Sequence, residues 1–125
     1  MKNLLWEGWW EQTGYGRQPM HDLWLRINEG YIRGDGVDCI GRFTIDGRLN
    51  GGNVQMTKTY VGRHSIIYRG EYDGEGTIFG KWCLGQNYIV PSDDSNAAGY
   101  TGEFMLRLAK QPPSSVTEEC TEIGG

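Results

Sequence analysis

Proline and cysteine are scarce in this chain: 125 residues contain four of the first and three of the second. Cys39, Cys83 and Cys120 are odd in number and far apart, and no Cys-x-x-Cys occurs, so neither a zinc site nor a redox pair is indicated; free, reduced thiols are expected. Long apolar runs are missing as well. None comes near the roughly 18 residues of a membrane-spanning helix. The opening Met1-Lys2-Asn3-Leu4-Leu5-Trp6-Glu7 carries charge where a secretory leader would have its apolar stretch. A cytoplasmic protein with no membrane partner is expected. Basic clusters are also missing. The 12 Lys and Arg are spread along the chain against 16 Asp and Glu, for a net charge of −4, which leaves no stripe to meet nucleic-acid phosphates. No window of useful length places apolar residues at helical spacing.

Glycine and aromatic residues are plentiful. Twenty glycines without a three-residue period exclude collagen and suit a protein of tight turns. Five Trp, seven Tyr and three Phe within a 38% apolar composition are too many for a disordered chain. At this length roughly two-thirds of the unfolded surface can be buried, so a core forms without covalent staples.

Strand-like runs separated by glycine-rich turns recur every 8 to 12 residues or so, the rhythm of a sandwich or barrel. They are read at Leu5–Gln12, Leu23–Asn28, Tyr31–Val37, Arg42–Asp46, Asn53–Tyr60, His64–Asp73, Thr77–Leu84 and Glu103–Leu108. Asn28-Glu29-Gly30 makes a hairpin turn, Asp46-Gly47 and Gly51-Gly52 mark the next connection, and Asp73-Gly74-Glu75-Gly76 a later one. Short turns join antiparallel neighbours. An eight-stranded meander must hide two edges, and closure into a barrel abolishes both. The expected fold is therefore all-β, an eight-stranded antiparallel up-and-down meander closed into a small barrel, with a two-layer sandwich as the alternative. The barrel domain spans 1–110. The tail, 111–125, holds Ser115-x-x-Glu118, either a capping box for a short helix or part of a frayed acidic end. Gln86 to Thr101 forms one long connection, of the kind that is functional or disordered in compact domains.

The first run carries Gly8-Trp9-Trp10. A Gly-x-Trp in the first strand of an eight-stranded meander resembles the signature of the calycin group: lipocalins, fatty-acid-binding proteins and avidins. That resemblance implies an arginine of the last strand against the tryptophan, with Arg107 the candidate, although the alternation of Phe104, Leu106 and Leu108 sets Arg107 on the opposite face. Within the group the chain looks most similar to the avidin family. His64-Ser65, Gly70-Glu71-Tyr72 and Ile78-Phe79-Gly80-Lys81-Trp82-Cys83-Leu84 resemble the run His-Ser, Gly-x-Tyr, Ile-x-x-x-Trp-x-Leu of bacterial avidins, and Trp10 and Gln12 fall where an avidin has Trp and a ligand-binding Asn. The resemblance implies Ser65 and Trp82 at two biotin-contacting positions and Gln12 at a third by near substitution. The third-strand Tyr and Ser of avidins fall near Gly36 and Asp38, and the last-strand aspartate near Gly102 or Glu103; these do not match. Biotin needs many simultaneous hydrogen bonds in a dry aromatic box, and each lost partner costs about 1–3 kcal/mol. The fold without tight biotin binding is the expectation.

The resemblance turns Ser65, Ile67 and Arg69 inward, whereas hydrophobic alternation turns in His64, Ile66, Tyr68 and Tyr72. One regular strand cannot do both. A bulge near Gly70 would reconcile them; without one, the alternation prevails.

Several residues invite a chemical reading. His64 has the side chain of a general base near neutrality, but without a located partner a surface histidine at a strand start is the simpler account. Lys58 shares a face with Val54 and Met56. Turned inward it would have a lowered pKa and serve as a nucleophile; a strand-end lysine reaching solvent along its flexible stem is the preferred reading. Asp35 with Asp38, and Asp93 with Asp94, read as solvated turn acids rather than paired carboxylates or a calcium loop. Gly34-x-Gly36 lacks the following helix that a dinucleotide loop requires. The aromatics Trp10, Trp24, Tyr60, Tyr68, Tyr72 and Trp82 are too many to fill such a barrel, so Trp9 and Trp24 are expected outside, as an interface or packed under a loop.

Three functions follow. The first is a non-enzymatic binding barrel, with a small molecule at the mouth or interior and Trp10, Gln12, Lys58, Tyr60, His64, Ser65, Tyr68 and Trp82 as ligand-binding candidates. The second is an interaction or homo-oligomerisation module with a packed interior. The third is a small isomerase, cyclase or hydrolase that uses His64. No catalytic residue, metal or cofactor is assigned.

Overall fold

The computed structural model describes residues 3–85 and 101–112. Within them the eight runs become eight strands: β1 Leu4–Gln12, β2 Gly16–Asn28, β3 Tyr31–Val37, β4 Arg42–Asn50, β5 Asn53–Tyr60, β6 Ser65–Tyr72, β7 Thr77–Leu84 and β8 Thr101–Leu108. Each pairs antiparallel with the next, and β8 pairs back onto β1, so the meander closes into a barrel with no free edge. The fold is all-β and consistent with a calycin-like barrel. The connection 86–100 with Asp93 and Asp94, and the tail from 113 with Cys120 and the Ser115–Glu118 pair, lie outside the described residues.

Two strands are longer than the sequence suggests. β2 starts at Gly16, where it pairs with Gln12 of β1, and runs through an irregularity at His21–Asp22, where Asp22 adopts φ 49° and the pairing with both neighbours shifts. Met20 is buried before it and Leu23 and Leu25 after it, so the alternation breaks and the first half does not read as a strand. β4 runs through Gly47 to Asn50, and the hairpin turns on Gly51 and Gly52, both at positive φ. Gly47 is not a turn residue. A Cβ there would lie 2.6 Å from the Cα of Met56 on β5.

Close approach explains another part of the glycine content. Gly70 and Gly80 face each other across β6 and β7. A Cβ on Gly70 would strike the Phe79 carbonyl oxygen and sit 2.9 Å from the Gly80 Cα. Such positions let two backbones press together where the sheet bends sharply. The β6 pairing runs unbroken through Gly70 on both sides, so no bulge is present. Ile66 and Tyr68 are buried while Arg69 is exposed, so the alternation sets the inward face of β6.

The end at which β1, β3, β5 and β7 begin is filled by apolar side chains, among them Trp6, Leu25, Ile32, Val54, Ile78 and Leu106, all buried. The opposite end carries the turns after β1, β3 and β5, and there the interior changes character. Because the Gly70–Gly80 crossing is backbone against backbone, Gly70→Ala is expected to destabilise the barrel by about 2–3 kcal/mol, as overpacked sites do. Urea unfolding would measure it. A loss under 0.5 kcal/mol would mean that the strands part there without strain.

Candidate functional site

Asp38 follows β3 in a four-residue turn to Gly41, closed by reciprocal backbone hydrogen bonds of 3.1 Å. Its Oδ1 accepts the Ile40 amide at 2.9 Å, which fixes the carboxylate against its own turn. Oδ2 then accepts three donors: Lys58 Nζ at 2.6 Å, the Tyr60 hydroxyl at 2.7 Å and Trp10 Nε1 at 3.0 Å. The side chains of Asp38 and Lys58 are 0% and 1% exposed.

Lys58 reaches this position because β5 alternates strictly, with Val54, Met56, Lys58 and Tyr60 all buried. Its ammonium sits 4.3 Å from the ring centroid of Phe43, 4.7 Å from Tyr60, 5.4 Å from Trp10 and 5.6 Å from Tyr68. It also donates to the Tyr68 hydroxyl at 3.3 Å. The cation is therefore held by one carboxylate, one phenol and four aromatic rings. Lys58 is no strand-end lysine reaching solvent, and Asp38 is no solvated turn acid; Asp35, by contrast, is exposed and does not pair with it.

The titration of these groups follows from burial and pairing. Burial lowers Lys58 from its usual 10.5 to about 8, with the charge and hydrogen bond of Asp38 opposing the fall. For Asp38, burial alone would raise the value, but the Lys58 charge and the bonds from Lys58, Tyr60 and the Ile40 amide outweigh it and hold the carboxyl below 3.8. At neutral pH the pair is ionised. Burial, with Asp38 beside them, raises Tyr60 and Tyr68, so both remain protonated. His64 is lowered by burial first and then by Arg63 and Lys58, which leaves it neutral at pH 7.

Above the pair lies a cavity of about 190 Å³. Trp10 and Trp82 meet edge to face in its wall, centroids 6.0 Å apart. Trp82 donates its indole N–H to the Glu11 carbonyl at 3.0 Å, reaching past β8 where Gly102 offers no side chain. Ile66, Leu84 and Ile40 add apolar surface. Comparison of the chain with protein-family models, with curated proteins and with solved structures returns no match.

Of the candidates read from the sequence, Trp10, Gln12, Tyr60, His64, Tyr68 and Trp82 line this cavity. Lys58 does not line it but lies beneath, among the rings. Ser65 is buried at the start of β6 against Gly85, whose Cα leaves no room for a Cβ beside the Ser65 hydroxyl, and it does not line the cavity either. Arg107 pairs with Glu7 at 2.8 Å on the barrel exterior, so no arginine of β8 packs on Trp10. Asp38 and Phe43 were not among the candidates. The available signal was Lys58 itself: a lysine on the buried face of β5 demands a buried counter-charge, and Asp38 follows β3 at the same end of the barrel.

Removing one partner of a buried pair leaves an uncompensated charge, at a cost of about 3–5 kcal/mol. Lys58→Met and Asp38→Asn are each expected to lose that much in urea unfolding, and the double variant less than the sum of the two. Strict additivity would mean that the groups do not act as a unit. The pH dependence has two limbs. Asp38 is lowered on folding, so its contribution is present above pH 3.8 and lost as the pH falls below it. Lys58 is also lowered, so between pH 8 and 10.5 unfolding takes up a proton and stability rises with pH. Tyr60 and Tyr68 oppose that rise only above about pH 10, where unfolded tyrosines ionise. In Lys58→Met the rise above pH 8 is expected to vanish.

Proposed function

We propose that this protein is a non-enzymatic binding barrel that holds a small molecule in the mouth cavity. The observation that carries the reading is the contrast between the two ends of the interior. One end is filled by apolar side chains, while the other leaves about 190 Å³ between Trp10, Trp82, Ile66 and Leu84 above a fixed polar layer. An apolar recess with a few convergent polar groups is the usual form of a small-molecule site. The volume sets the scale, since a dry cavity of about 150 Å³ accommodates benzene. This site suits one ring and a few further atoms.

The likeness to avidins is partial at the cavity. Trp82 and Gln12 line the cavity, as the resemblance implies, but Ser65 does not, and the third-strand positions hold Gly36 and Asp38. The cavity offers few of the polar partners that biotin needs.

The test is a panel of one-ring and small two-ring compounds titrated into the protein, with the tryptophan indole N–H signals followed by NMR. Ligands of this size are expected to bind with Kd of order 0.1–1 mM or tighter. Leu84→Trp should fill the recess and abolish binding while the barrel stays folded, and biotin should give no adduct in native mass spectrometry. A panel without any binder would sink the proposal.

A second reading rests on the barrel exterior. Pro19, Trp9, Met105 and Phe79 are lateral neighbours across β2, β1, β8 and β7 and form an outward apolar row. Trp9 is half-buried under the Arg17 guanidinium, 3.7 Å from the ring centroid, and Phe79 is 41% exposed. This row supports a homo-oligomer that associates through it. Sedimentation velocity should then show a species larger than the monomer that Met105→Glu dissociates; a monomer at all concentrations would count against it.

A further inference from the structure

Tyr68 is 1% exposed and lines the mouth cavity. Its ring packs on Phe104, centroids 4.4 Å apart, which holds the phenol in place. The hydroxyl oxygen accepts from Lys58 Nζ at 3.3 Å. An ammonium only donates, so Tyr68 cannot pass its own proton to Lys58. Among the described residues that proton meets no acceptor. The other donors in the layer are spent: the Trp10 indole, the Tyr60 hydroxyl and the Ile40 amide all donate to Asp38. A buried donor without an acceptor is an unfavourable arrangement that an incoming acceptor relieves. The ammonium bonded to the phenol oxygen polarises the O–H and strengthens it as a donor.

We infer that Tyr68 is the donor that determines specificity in the mouth cavity, and that the molecule it selects is a neutral ring compound bearing a carbonyl oxygen. This rests on the reading of the cavity as a binding site. A carbonyl oxygen accepts and brings no proton that would itself need a partner. A neutral ligand follows from the local charge. Lys58 and Asp38 balance each other, and among the described residues no Lys, Arg, Asp or Glu lines the cavity. A ligand carboxylate or ammonium would enter a desolvated recess without a counter-charge. The walls of Trp10, Trp82, Ile66 and Leu84 take the apolar ring.

The experiment titrates the full chain with acetophenone, with its carbonyl-free counterpart ethylbenzene and with the anion benzoate, reading Kd from the indole N–H signals. Acetophenone is expected to bind at least tenfold more tightly than either of the others. Tyr68→Phe should erase that advantage without weakening ethylbenzene. Equal binding of acetophenone and ethylbenzene, or an equal loss of both in Tyr68→Phe, overturns the inference and leaves the cavity as a binding site. A preference for benzoate overturns the neutral class. No binding by any of the three overturns the cavity reading and the inference with it. The comparison of ligands on the unaltered protein needs no variant, so the test stands even where Tyr68→Phe does not fold.

Discussion

One buried ion pair organises the upper half of this barrel. Lys58 and Asp38 have left water entirely, and neither tolerates that alone. Their attraction is completed by hydrogen bonds that leave Asp38 without a free acceptor position of consequence: three donors on one oxygen, a backbone amide on the other. The four donors come from three parts of the chain: Trp10 from β1, Lys58 and Tyr60 from β5, and the Ile40 amide from the turn after β3. The pair therefore ties three segments at one level of the barrel. A hydrophobic substitute would give comparable burial without this directionality.

The same network sets the chemistry of the space above it. A tryptophan and a tyrosine usually present both a face and a polar tip. Here the tips of Trp10 and Tyr60 are turned down into Asp38, and the tip of Trp82 is bonded sideways to the Glu11 carbonyl. The rings that remain in the wall therefore offer apolar surface to the cavity. The polar layer makes the recess less polar than its residue names suggest.

The fold was legible because its signals are local. Period-two alternation in β5 and β7, and glycine turns between the runs, specify strands and their antiparallel order, and the cost of exposed edges specifies closure. The strand limits failed where two local rules conflict. Asp22 at positive φ breaks the alternation of β2, and Gly47 looks like a turn residue but is an interior one required by the nearness of Met56. Most of the cavity residues were also legible, because aromatic residues on inward positions near the strand ends at one mouth, such as Trp10, Tyr60 and Trp82, can be placed by counting.

The ion pair was not legible for a different reason. An acid in a turn and a lysine near a strand end each have an ordinary solvated explanation, and each residue alone favours it. The two explanations fail together. Parity makes Lys58 face inward as firmly as Val54 and Met56, and that orientation is stable only if a carboxylate follows it in. The turn at Asp38–Gly41 has the geometry to bring one, since the bond from the Ile40 amide to one carboxylate oxygen fixes the group against its own turn and leaves the other oxygen to Lys58. Buried charge is thus a property of pairs. Reading it from sequence requires asking of each inward charge which opposite charge the topology delivers to the same end of the barrel.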